Sequence, residues 1–458
     1  MSLAFYCLTM KINQILSLII LIFTALEAVG QQLADSIIKV NPAGVTVARS
    51  YFSYNDDDYQ TMAMHYTFNK KTSKWVGTYK ETATYDEQGN CLVHDVSYWD
   101  MVGNRWFTMV NEINTYDRKG RRTSGDARQW NKEREVWIGV SKNAFTFNDM
   151  GLLATEEHYE WLEEAEVWRE KTRAVYEYDD RGRRIEEIEY NYLDGQWINS
   201  IRRTNTYNVE NRQLEKTIEQ KWNGNDWELT QKTELTYEKS TDRATRTTIQ
   251  LRQTYDEAQQ DWVNLERTTS TMDARMTEIY IKREEWDTKN SRWLVTKCER
   301  SDVKYDIDDN KIFDARYRWN GNDEWIGISR AEYKFNDYGD LLFESKMTWN
   351  IMDNEWKGVL NAEYDYDPMG NLILEIKRKW DPDTKDWRNL SKLTYEYDEY
   401  HNKVRESTFS WHVQQQKWEE FYKGKFEYSY DGGGNIKCAQ EYMWDVKKWK
   451  PVMTVFYY

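Results

Sequence analysis

The chain has 458 residues, with 23 Trp, 33 Tyr and 14 Phe against only 4 Pro, and a mean hydropathy of -0.93. So much aromatic area excludes a disordered chain, and the shortage of Leu, Ile and Val argues against an ordinary helical or α/β core. The 63 Lys and Arg against 78 Asp and Glu leave a net charge of -15, with no Lys/Arg cluster to offset it, so a nucleic-acid or anionic-membrane binder is not expected.

In chain order, residues 1–30 read as a secretory signal peptide. Lys11 precedes an apolar run from Ile15 to Phe23, small residues follow at Ala28 and Gly30, and Met10 serves as the start on this reading. The alternative, a membrane anchor, needs about 20 apolar residues. Residues 31–50 are expected to be an N-terminal linker, and 51–458 one continuous array. No other segment approaches a transmembrane span, so the mature chain is expected to be exported to the periplasm, the cell surface or beyond. Losing Cys7 with the signal leaves Cys91, Cys298 and Cys438 at no metal-ligand spacing, and they read as small apolar strand residues.

The array is a repeat. An anchor, aromatic except once, followed by Asp, Asn or Glu, recurs at Tyr54, Tyr85, Tyr116, Phe147, Tyr178, Tyr207, Tyr237, Met272, Tyr305, Phe335, Tyr366, Tyr397 and Tyr430, at steps of 29 to 35 residues. Between anchors stands an aromatic pair, from Phe68/Trp75 to Trp444/Trp449. The second member is always Trp and the first is Trp in ten units, which accounts for all 23 tryptophans.

Both landmarks carry turn chemistry. Gly stands four residues after the anchor in seven units, as at Gly89 and Gly370, which with the Asx side chain suits a hairpin loop with a bulge. Asn223-Gly224 and Asp194-Gly195 inside the aromatic pairs are strong hairpin signals, and they predict the two aromatics face to face across the strands. Between the turns the period is two. Trp387, Asn389, Ser391, Leu393, Tyr395 and Tyr397 are expected on one face, against Arg388, Lys392 and Glu396 on the other. The fold class is therefore all-β: tandem antiparallel hairpins, about 13 units of about 31 residues, or roughly 26 strands. Because strands twist, the sheet is expected to curl, as a superhelical spiral or a hollow shell, with a Trp/Tyr face inward.

Tyr176-Glu-Tyr-Asp-Asp-Arg-Gly-Arg183, Tyr116-Asp-Arg-Lys-Gly-Arg-Arg122 and Tyr364-Asp-Tyr-Asp-Pro-Met-Gly-Asn371 resemble the YD repeats of bacterial RHS and related wall-associated proteins. The resemblance covers nearly the whole array. It implies a secreted or surface β-sheet spiralling into a shell, which in family members encloses a toxin or binds carbohydrate.

Catalytic patterns are missing from the sequence. His65, His94, His158, His401 and His412 are scattered among the units, and no phosphate loop or nucleophile elbow occurs. No catalytic residue, metal or cofactor is expected. Asp306 to Asn310 and Asn55 to Asp58 cluster oxygen ligands, but the EF-hand positions for Gly and Glu hold Lys311 and Tyr317, and Asx-rich turns explain both clusters. A lipid-facing barrel needs a uniformly apolar band, which neither face supplies. The sharpest functional signal is the Trp rows, which suit either a core or a platform for sugar rings. Candidate ligand-binding residues are Trp319, Trp325, Trp349, Trp356, Trp380 and Trp387. The expected function is an exported, non-catalytic scaffold binding polysaccharide or a protein partner at the cell surface. The alternatives are a structural or protein-interaction scaffold, or a component of a toxin-associated shell.

Overall fold

Hairpins follow one another without interruption in the computed structural model, which describes residues 33–240, 244–322 and 324–458. All 28 strands of the described residues belong to one sheet in which sequence neighbours pair antiparallel. The signal-peptide reading falls on residues outside the described ones.

Thirteen hairpins are built on the aromatic pairs, from β3 (Gln60–Asn69) with β4 (Lys74–Tyr85) to β27 (Ile436–Asp445) with β28 (Lys448–Tyr457). In each, the two aromatics are direct cross-strand partners, as Trp222 with Trp227 and Trp380 with Trp387. Their rings meet edge to face at centroid separations of 5.0 to 5.6 Å, the geometry that the ring quadrupole favours.

The other turns are Asx-capped, except after Tyr237, where Ser240 Oγ accepts the Thr245 amide. Asp86 Oδ1 accepts the amides of Gln88 and Asn90, while the Gly89 amide donates to the Asp86 carbonyl and Gly89 takes φ +80°. Asp306 and Asn55 do the same for their loops. These bonds stabilise the ionised carboxylate. Hydrogen bonds from Asn90, Arg121 and Asn371 hold Asp86, Asp117 and Asp367 below the usual carboxylate range. A depressed folded pKa contributes stability above the ordinary value near 4 and loses it as pH falls through the folded one. Replacing these three by Asn, which the chain already uses at Asn55, Asn148 and Asn336, is expected to keep the caps and flatten the loss of stability in acid. Urea midpoints between pH 6 and pH 3 check this.

Six anchor tyrosines clamp the open ends of their own aromatic-pair hairpins. The hydroxyls of Tyr85, Tyr116, Tyr178, Tyr207, Tyr237 and Tyr366 each donate to a backbone carbonyl 23 to 25 residues upstream, at 2.8 to 3.2 Å.

The face assignment expected from simple alternation is corrected. Every aromatic-pair hairpin carries a register shift, with one extra residue three positions after its second Trp, for example Met109, Val359 and Leu390. A β-bulge inverts the side-chain alternation beyond it. Trp387 and Asn389 therefore share a face with Trp380 and Arg378, whereas Ser391, Leu393 and Tyr395 fall on the opposite face with Lys377 and Glu375. The Trp row lies on one face at one rim of the sheet, and the Tyr row on the other face at the other rim.

The linker expected at residues 31–50 is also corrected. Ser36–Val40 form β1 and Thr46–Tyr54 form β2. β1 pairs with β2 on one side and with β28 on the other, so the sheet closes on itself as a ring rather than an open spiral. Arg316 is level with Ser329 and, across the next strand, with Thr348, two residues beyond its repeat equivalent Lys346. Two residues along for two strands across is a tilt of about 35°, within the range of closed barrels. Extensive strand contacts run only between sheet neighbours, so the ring is hollow. Among the described residues the buried hydrophobics are Ala63, Cys298, Ala315 and Ala362, and no large side chain is fully buried. Rows of half-buried aromatics on each face replace a central core. No helix is long and apolar enough to cross a membrane among the described residues.

Candidate functional site

The six tryptophans singled out above lie on three consecutive hairpins: β19 (Lys311–Trp319) with β20 (Trp325–Phe335), β21 (Leu341–Asn350) with β22 (Glu355–Tyr366), and β23 (Leu372–Asp381) with β24 (Asp386–Tyr397). All six are half-buried and share one face. Glycine makes the row continuous. A Cβ on Gly327 would come within 2.8 Å of Trp356, and one on Gly358 within 2.4 Å of Trp387. The Trp349/Trp356 and Trp380/Trp387 pairs thus each lie over the glycine of the hairpin before, whereas Val295 holds that position before Trp319/Trp325. Choosing between core and platform overlooks this arrangement, in which the rings shield each other and a backbone floor and keep part of their surface wet.

Polar groups border the row on the same face. Arg378 donates to Asn361 Oδ1 at 2.9 Å and Glu363 Oε2 at 2.8 Å, and its hydrogen bond holds Glu363 below the usual carboxylate range. The Arg300 guanidinium stacks 4.9 Å from the Trp325 ring, a cation–π contact. A half-wet aromatic strip with hydrogen-bonding groups alongside suits a ligand with apolar faces and polar edges.

Sequence reading missed a second group. His65 and His94, apparently scattered, converge on Glu81 of β4. Its carboxylate accepts from Tyr79 at 2.7 Å and from Gln60 at 3.0 Å, and stands 3.5 Å from His94 Nε2. His65 Nδ1 lies 2.8 Å from Ser50 Oγ. Burial pushes Glu81 up but is outweighed by the His94 and Tyr79 hydrogen bonds, so it stays below its usual range. The Glu81 hydrogen bond raises His94, while burial lowers His65. In an NMR titration His94 is expected to protonate above, and His65 below, the ordinary value near 6.5. The opposite order would mean that Glu81 faces the other ring. Only strand register brings these side chains together, so no local motif announces them. No group of three or more His, Cys, Asp or Glu side chains placed to hold a metal ion occurs among the described residues.

No protein-family model matches the chain, and no curated protein does. Among solved structures it is similar to TcdB2-TccC3-TEV, at 11% identity and a TM-score of 0.24 over 89% of this chain, which spans 26% of that one. A Bacteroides fragilis protein of unknown function matches 28% of this chain and 91% of its own, at 15% identity and a TM-score of 0.21. A porin-like protein from Bacteroides uniformis matches 53% of this chain and 98% of its own, at 11% identity and a TM-score of 0.22.

Proposed function

We propose that this protein is an exported, non-catalytic scaffold whose Trp row binds polysaccharide. The observation that carries the reading is the continuous strip from Trp319 to Trp387, half-buried on one face and bordered by Arg378, Asn361 and Glu363. An extended glycan laid along the strip meets an aromatic floor and a polar edge at each hairpin. The test is a titration of the protein with a panel of neutral polysaccharides, read by tryptophan fluorescence. Saturable quenching that is lost in Trp349→Ala/Trp380→Ala supports the reading, and a flat response across the panel removes it.

A second reading rests on the closed, hollow ring. A wall without a core encloses space, which suits a shell or protein-interaction scaffold. Crosslinking that captures one defined protein with no glycan response would favour it.

A further inference from the structure

The chain is acidic overall, yet the fold assembles a row of cations that the linear sequence hides. Three residues before the first aromatic of the pair, on the face opposite the tryptophans, five consecutive units carry a base: Arg252 of β15 (Thr245–Asp256), Arg283 of β17 (Glu278–Asp287), Arg316, Lys346 and Lys377. The same position holds Glu189 and Glu219 in the two units before and Thr408 and Glu441 in the two after. A structural demand of the repeat would recur in every unit, so this run needs its own reason.

The row is accessible. Arg283 and Arg316 are exposed and make no ion pair among the described residues. Arg252, Lys346 and Lys377 keep side-chain exposures of 39%, 42% and 42% beside Glu266, Glu344 and Glu375. Most steps along the row are two strands across and two residues along, about 12 Å. The step from Arg283 to Arg316 is two residues longer, and Lys297 lies directly across from Arg283.

We propose that this face of β15 to β24 binds an anionic polysaccharide bearing at least one carboxylate or sulfate per disaccharide. Two strands of sheet and one extended disaccharide are of similar length, so a polymer running parallel to the rim meets one cation per disaccharide, within the play of a flexible side chain. Nucleic acid fits poorly. Duplex DNA presents a charge every ~1.7 Å of axis, and single strands are held by aromatic stacking. The residues directly across from the row are Glu266, Lys297, Ser329, Leu360 and Ser391, none of them aromatic. The inference shares its ligand class with the reading above but places the ligand on the other face.

The test uses the full chain with polygalacturonate, a neutral β-glucan and a single-stranded DNA of matched charge. Polygalacturonate is expected to bind with an affinity that falls with salt. The variant Arg283→Glu/Arg316→Glu/Lys346→Glu is expected to lose at least tenfold and to leave any response to the neutral β-glucan unchanged. Should the triple variant lose its β-sheet circular dichroism, Arg283→Gln/Arg316→Gln replaces it, with an expected loss of at least threefold. No binding of polygalacturonate, binding unchanged in the charge variants, or DNA bound as tightly would overturn the proposal. A flat neutral-glucan response with polygalacturonate binding retained would sink only the Trp-row reading.

Discussion

Ile38→Pro is expected to open the ring. β1 is the shortest strand of the sheet, five residues against nine or more elsewhere, and it alone joins the two ends of the array. Ile38 sits at its centre, opposite Arg49 on one side and Phe456 on the other. Proline removes the N–H whichever neighbour it serves, and a strand paired on both sides tolerates it poorly. With β1 displaced, β2 and β28 become long free edges, which template pairing with other chains. Sedimentation should shift to larger species, and amides at 46–51 and 454–457 should lose protection in hydrogen exchange. The hairpins remote from the seam should keep theirs, because each is held by its own neighbours. Unchanged protection at 454–457 would show that closure does not depend on β1.

The second large effect is expected at Gly358. A methyl group there would stand 2.4 to 2.6 Å from Trp387 and 2.8 Å from Trp380, with sheet backbone below it. The Trp pair has to lift, and overpacking of this kind costs about 1–3 kcal/mol. Gly358→Ala should lower the urea midpoint and increase acrylamide quenching of the displaced indoles. Gly339 is the control: its φ is +87° and nothing lies within 4 Å of an added Cβ. Gly339→Ala strains the turn and should leave quenching unchanged. Equal quenching in the two variants would mean that the indoles do not rest on the glycine.

What the sequence made legible follows from how locally each feature is encoded. The Asx turns, the cross-strand Trp pairs and the count of thirteen units are written within a few residues of each landmark, and all appear in the fold. The bulges are not. Positions such as Leu390 and Val359 carry no Gly or Asx to mark them, and missing them placed Tyr395 and Tyr397 on the wrong face. β1 reads as linker because it carries neither landmark and is defined by its partners, one of them at the far end of the chain. The Glu81 cluster and the basic row share this character. Arg283 and Arg316 lie 33 residues apart in sequence, and only the stagger between hairpins lines them up.

The bulge has a consequence for how the chain tolerates insertion and deletion. Each aromatic-pair hairpin reverses the side-chain phase once at its bulge, and most Asx hairpins reverse it again just past the turn. Deleting the bulge residue Leu390 would therefore leave a regular ladder, with Asn389 still opposite Arg378 and Ser391 still opposite Lys377, and every later hairpin would keep its phase. Losing a residue from the regular stretch of a strand instead slips its register by one and turns the remaining side chains to the other face. Gain or loss of a whole unit preserves the phase and changes only the girth. Such a ring accepts length change as complete hairpin pairs or at the bulges, and rejects it elsewhere in the strands.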